Sequence, residues 1–271
     1  MTDEVGKSIR ESPQFVIDDP PPPYNKEDPR WLSSDSPGRA SAAFSSSRHL
    51  NGYGGKTPSG RSYYDLGAAL DGKRFRVCAS CILAKRTEAL HIHNGLNSED
   101  DILATITRSV KEASYNGKGQ DTFNFTLHAI EGFGNVGKQV KMYRLCDSKW
   151  GHRNTLELVV DIGGRSERFQ WRPSRGKEVR GLAGYSSGWK LVRMTSREAG
   201  VGGKRKSREE GFTSDGREVV AVIAHTLSVR KDFVFAVLGS GCSGALGSAW
   251  ETAALLSGIW RWWNSVNGSM D

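Results

Sequence analysis

Between residues 73 and 238 the apolar side chains fall into short runs about ten residues apart, and this spacing limits the fold more than any other feature. The first runs are "KRFRVCA", "ALHIHNG", "DILATIT", "TFNFTLHAI", "KQVKMYRLC" and "NTLELVVDI". "SERFQWR", "GWKLVRM", "EVVAVIAH" and "DFVFAVLG" follow. None is long enough for a typical helix, and several alternate with period two. Glu167, Phe169 and Trp171 share one face of a strand, while Arg168, Gln170 and Arg172 share the other. Gly, Asn and Asp separate the runs, so the pattern predicts an antiparallel sandwich or barrel. "DILATITRSVKEASY" has helical length, but its β-branched start favours a strand. "EVVAVIAH" and "FVFAVL" are apolar on both faces and need cover on both sides.

One segment breaks the pattern. "SAWETAALLSGIWRWW" near the C-terminus has helical length, and the stretch around it holds four of the chain's eight tryptophans. Ser248 and Glu251 have the spacing of a capping box. On a helical projection the apolar side chains cover roughly 200° or more, and the remaining strip holds mainly Ala254, Ser257 and Gly258, flanked by Glu251 and Arg261. A helix so nearly apolar all round belongs inside protein or lipid. From Ala249 to Trp263 it would be about 22 Å long, against roughly 30 Å of bilayer hydrocarbon. The segment is therefore expected to be enclosed by the strands, with Leu255, Leu256, Ile259 and Trp260 nearly inaccessible. No membrane span is expected.

Residues 1–62 differ from the rest. They carry eight of the nine prolines with many serines and glycines, and no periodic apolar pattern. Such a stretch cannot bury enough apolar surface to offset its ordering entropy and reads as a disordered arm. A folded domain over residues 63–271 follows. Within "DDPPPPYNKEDP", Pro21, Pro22 and Tyr24 form a PPxY motif in a run biased towards polyproline II. That preformed conformation suits the aromatic grooves of WW domains. Such partners include ubiquitin ligases of the HECT class.

Taken in order, "LHIHNGLNSEDDILATI", "ERFQWR", "GWKLVRM", "GREVVAVIAH" and "FVFAVLGSGCSGALGSAWETAALL" resemble the landmarks of fungal tubby-like proteins of unassigned function. These are related in fold to LURP-one proteins and phospholipid scramblases. The likeness runs over roughly residues 65 to 266 and is one of motif order, without a catalytic signature. It implies a mainly β fold, an antiparallel tubby-like β-barrel closed around the hydrophobic C-terminal helix. Members of the wider superfamily bind phosphoinositides or other membrane lipids, which implies an anionic lipid surface as a partner. A scramblase-like, membrane-associated protein is the alternative drawn from the same likeness.

Other motifs have plainer readings. "GFGNVG" matches a dinucleotide loop, but "KQVKMYRL" after it alternates like a strand, where pyrophosphate binding needs a helix N-terminus. "GYSSG" places Ser186 in a nucleophile-elbow pattern, with Asp215 and His225 later in the chain. The elbow requires strand, turn and helix, and here a strand follows. A serine hydrolase using Ser186 is the weaker alternative, and no catalytic residue is assigned. Cys78 and Cys81 form a CxxC, with His91 and His93 nearby. Their spacing is atypical for zinc, and the histidines read as same-face strand residues, so no metal or cofactor is expected.

The chain has a net charge of +8, which favours acidic partners. In "GGKRKSREE", Lys204, Arg205, Lys206 and Arg208 form a cationic loop suited to anionic headgroups. No aromatic residues interleave with it, so base stacking on nucleic acid is not expected. The N-terminus lacks the pattern of a secretory signal, and four cysteines in a chain of this length suggest no disulfide scaffold. The combined expectation is a non-enzymatic adaptor, cytoplasmic or peripheral at membranes, with the nucleus as another location.

Overall fold

The computed structural model describes residues 49–58, 61–82, 87–109, 122–129, 137–145, 155–183, 187–195, 201–204 and 209–267. Twelve strands run in chain order: β1 (His49–Lys56), β2 (Ser62–Gly67), β3 (Lys73–Ile82), β4 (Thr87–His93), β5 (Ile102–Ser109) and β6 (Thr122–Leu127). Then come β7 (Lys138–Leu145), β8 (Thr155–Ile162), β9 (Arg165–Ser174), β10 (Gly188–Arg193), β11 (Val219–His225) and β12 (Phe233–Val237). Each strand pairs antiparallel with the one before it, and β1 pairs with β12, closing a barrel. Closure leaves no sheet edge. "DILATITRS" is a strand, and "KQVKMYRL" after the glycine-rich stretch is strand β7 rather than a helix.

Because neighbours in sequence are neighbours in space, the connections alternate between two ends of the barrel. At the end termed lower, β1 joins β2, β3 joins β4, and so on to β11 and β12. At the upper end β2 joins β3, and so on to β10 and β11.

The second long element is helix α2 (Gly247–Val266). Every residue from Trp250 to Asn264 is buried. Leu255 is 1% exposed, and Leu256, Ile259 and Trp260 are 0% exposed, as the apolar pattern requires. Alternate residues of the strands point at it: Leu90 and Ile92, Phe125 and Leu127, Leu156 and Leu158, Phe169 and Trp171, Ala221 and Ile223. Trp262 packs at a tilt on Phe233 at 4.6 Å and meets Tyr64 edge-on at 5.2 Å, and Trp260 meets Phe123 at 5.7 Å. These rings place the helix C-terminus at the lower end, while Trp250 packs on Phe169 at 5.8 Å. The lumen is thus a core filled by the chain itself, in keeping with the close packing of protein interiors.

The strip of small residues on α2 has a specific partner. Trp171 Nε1 donates to Ser257 Oγ at 2.9 Å, and a Cβ on Gly258 would lie 2.9 Å from the Trp171 ring. Ser257 and Gly258 therefore form the notch into which β9 places its indole.

Three features differ from the sequence reading. First, β1 and the first residue of β2 lie within residues 1–62, so the described barrel begins at His49. The strand signal of "HLNGYGGK" is weak because it is rich in glycine, yet the glycines are what fit: a Cβ on Gly52 would sit 2.3 Å from the Phe233 ring. Residues 1–48, with Pro21, Pro22 and Tyr24, lie outside the described residues. Second, a short helix, α1 (Lys177–Ala183), joins β9 to β10. Its Val179 packs with Val219, Val222 and Ala224, so the outer face of β11 is covered by α1 while α2 covers the inner face. Seven residues including Gly181 give too little helical periodicity to stand out in sequence. Third, α2 starts at Gly247 with Leu246 at the N-cap and no side-chain cap there, so the Ser248–Glu251 capping box does not form. Glu251 is instead a turn into the helix and 8% exposed.

Candidate functional site

With the lumen filled, chemistry has to be sought on the outer wall and at the two ends. The outward-facing residues of β8 to β10 build a network of charges. Glu157, buried on the wall, accepts two hydrogen bonds from Arg168, at 3.0 and 2.9 Å, and one from Gln170 at 2.8 Å. Gln170 in turn holds Arg172, which reaches Asp215 at 3.4 Å, and Asp215 also holds Arg217 at 3.1 Å. Arg217 donates to the Met194 carbonyl as well.

A second cluster sits at the upper end. Arg193 donates to both oxygens of Glu167 at 2.7 Å, and its hydrogen bonds hold the Glu167 carboxyl below the ordinary carboxylate range. Glu218 accepts from the Ser240 amide at 2.6 Å and lies 3.9 Å from Arg193. In both clusters the guanidinium charges are spent on internal carboxylates, which fasten the long β10–β11 connection and the turn before α2 to the barrel.

The sequence-derived candidates separate in space. Lys204 is exposed in the β10–β11 connection, which leaves the barrel at the upper end; Arg205, Lys206 and Arg208 lie outside the described residues. Ser186 also lies outside them, between α1 and β10, so the elements flanking it are a helix and then a strand. Asp215 is engaged by Arg172 and Arg217, while His225 at the end of β11 accepts the Trp262 indole N–H at 3.1 Å. No hydrogen bond joins Asp215 to His225.

Cys78 and His91 are direct partners across β3 and β4. His91 Nδ1 and His128 Nε2 each lie 3.1 Å from Thr105 Oγ1, so one hydroxyl bridges two imidazoles on the outer wall. Burial, together with His93 and His128, holds His91 below its ordinary value. His93 Nδ1 is 3.0 Å from the Asp100 carbonyl oxygen. The Cys81 side chain is outside the described set. Among the described residues no group of three His, Cys, Asp or Glu side chains is arranged to hold a metal ion.

The lower end differs in kind. Three hairpin connections lie side by side there, because β10 pairs with β11 and β12 with β1: β9–β10, β11–β12 and β1–β2. They carry Arg175, Lys177, Arg180, Arg230, Lys231, Lys56 and Arg61, all exposed except the half-buried Lys231. None of these seven forms an ion pair with a described residue. The two carboxylates in the same connections are occupied: Glu178 by Lys190 and Ser174, Asp232 by the Gly54 amide. Sequence reading missed this group because its cations are scattered over 176 positions. The usable signal was topological: in an up-and-down meander, every second connection shares an end.

No helix among the described residues is long and apolar enough to cross a membrane. No family model matches the chain, and no curated protein or solved structure matches it either.

Proposed function

We propose that this chain is a non-enzymatic, tubby-like adaptor that engages anionic membrane lipid through the cationic outside of its barrel and WW-domain proteins through Pro21, Pro22 and Tyr24. One observation carries the reading: α2 occupies the barrel interior, so a ligand or partner has to be met on the outside, where unpaired cations gather. Weak, additive attraction of about 1 kcal/mol per lysine or arginine near an acidic membrane gives a basic surface of this kind useful affinity without a deep pocket. The arm would add recruitment of a second protein, with HECT-type ubiquitin ligases among the candidate partners. A cytoplasmic protein that visits membrane surfaces fits both activities. The scramblase-like alternative would need α2 to leave the barrel and enter lipid, stripping the strands of the residues that fill the lumen.

Vesicle flotation of the full chain tests the lipid half. Salt-sensitive flotation with phosphatidylserine or phosphoinositide vesicles, and none with phosphatidylcholine alone, is the expected outcome; equal behaviour with both would reject it. Pull-down with a panel of WW domains tests the other half. Binding by a Tyr24→Ala chain as strong as that of the natural chain would remove the PPxY motif from the function.

A further inference from the structure

Four large apolar side chains are markedly exposed among the described residues: Leu70, Leu227, Val229 and Val266. Three of them sit at the lower end. Leu227 is 76% and Val229 105% exposed in the β11–β12 connection, and Val266 is 48% exposed at the end of α2. Single surface hydrophobes are ordinary, but two at the tip of one hairpin, beside unpaired cations, are not.

The hairpin is shaped to hold them out. The Ser228 amide donates to Thr226 Oγ1 at 3.0 Å, and the Arg230 amide donates to Ser228 Oγ at 3.1 Å. These two side-chain turns spend the small polar residues on the backbone, so that Leu227 and Val229 have no packing partner to fold back on. The base of the loop is pinned. Asp232 Oδ2 accepts from the Gly54 amide at 2.6 Å, and the Asp232 amide donates to the Gly52 carbonyl at 2.9 Å. Below it, Trp262 donates to His225, tying the hairpin to the core helix. Arg230 and Lys231 follow the tip directly. Lys56 and Arg61 stand on one side, and Arg175, Lys177 and Arg180 on the other.

We infer that the lower end is a membrane-docking face, in which Leu227 and Val229 enter the headgroup–acyl boundary of an anionic bilayer while the surrounding seven cations bind its headgroups. This rests on the lipid-binding reading above and adds to it the face, the orientation and an apolar component. Charge complementarity selects the occupant: an acidic bilayer offers negative charge over the whole arc and hydrocarbon at its centre, matching the order of groups from rim to tip. The barrel axis would stand with its lower end down. Lys204, in the connection leaving from the other end, would face away from the lipid.

The test compares four full-length chains on vesicles of phosphatidylcholine with about 30% phosphatidylserine: natural, L227D/V229D, R230Q/K231Q and K204Q/R205Q/K206Q/R208Q. Removing the apolar tip is expected to weaken partitioning at least about tenfold. Removing two tip cations should weaken it about fivefold for each charge. The upper-end variant should bind like the natural chain. Circular dichroism and thermal unfolding check that each variant is folded, and Leu227→Ser with Val229→Ser gives the same reading without added charge. If the natural chain fails to float, the lipid-binding reading itself falls. If it floats and the tip variants float equally well, the docking face is wrong. Loss of binding only in the Lys204 variant would place the lipid at the upper end and overturn this inference alone.

Discussion

The indole nitrogen of Trp171 on β9 donates to the hydroxyl of Ser257 on α2 at 2.9 Å, with both residues 0% exposed. Ser257 also donates to the Ala254 carbonyl at 3.2 Å, so one hydroxyl links the wall to the helix backbone. Ser257→Ala leaves a buried N–H unpaired and should cost about 1–3 kcal/mol. Urea unfolding followed by tryptophan fluorescence measures it. A loss below about 0.5 kcal/mol would mean the notch is held by shape alone.

Two glycines with opposite surroundings make a matched pair. Gly52 has the Phe233 ring 2.3 Å from where a Cβ would be, whereas Gly181 on the exposed side of α1 meets nothing within 4 Å. Gly52→Ala should lower stability by about 1–3 kcal/mol through overpacking. Gly181→Ala should raise it by about 0.5–1 kcal/mol through helix propensity. Shifts of the urea midpoint at constant slope read out both.

Glu251 should make stability fall as pH rises. Burial pushes its carboxyl up from 4.5 to about 7, so the folded chain keeps the proton over a range in which the unfolded chain has lost it. The folded state therefore loses ground from about pH 4.5 to pH 7 and no further above that. Glu251→Gln should remove this slope and gain about 3 kcal/mol on the natural chain at pH 8 relative to pH 4.5. Parallel stability–pH curves for the two chains would refute the assignment.

His225 acts in the opposite sense. Burial lowers its value from 6.5, so the unfolded chain takes up the proton first and folding weakens as pH drops below 6.5. Its neutral ring also accepts the Trp262 indole hydrogen, which an imidazolium proton at that nitrogen would displace. His225→Gln should flatten the acid limb between pH 6.5 and 5 in urea titrations; an unchanged limb would exclude His225 as its source.

Thiol reactivity should rank two cysteines. Cys242 is exposed, while Cys78 is half-buried on the wall and its thiol is pushed up by burial. Iodoacetamide labelling with peptide mapping should modify Cys242 before Cys78 in the folded chain. The reverse order would mean that the wall around Cys78 opens readily.

The barrel walls could be read from sequence because period two is a local property: Phe169 and Trp171 announce their face without knowledge of any other strand. Burial of α2 was legible too, since a helix apolar on nearly all sides leaves few alternatives. β1 was hidden because its glycines carry no apolar pattern, and Gly52 owes its place to the ring of Phe233, a partner that no local window contains. α1 was hidden by its length. The Ser248–Glu251 pattern misled because a capping box is only a spacing, and the helix starts two residues earlier, with Leu246 at the N-cap and Gly247 at φ +79°. The cationic lower end was invisible for a different reason: Lys56 and Arg230 become neighbours only once β1 has paired with β12.

That same pairing sets the order in which the molecule can be made. β1 waits for β12 before the sheet can close, and α2 follows β12 in the chain. Until both are in place, Phe125, Leu158 and Trp171 lack the helix that packs between them. Non-local closure of this sort folds slowly and exposes sticky surface while it waits. A chain ending before Gly247 would lack a large share of its own core rather than a tail.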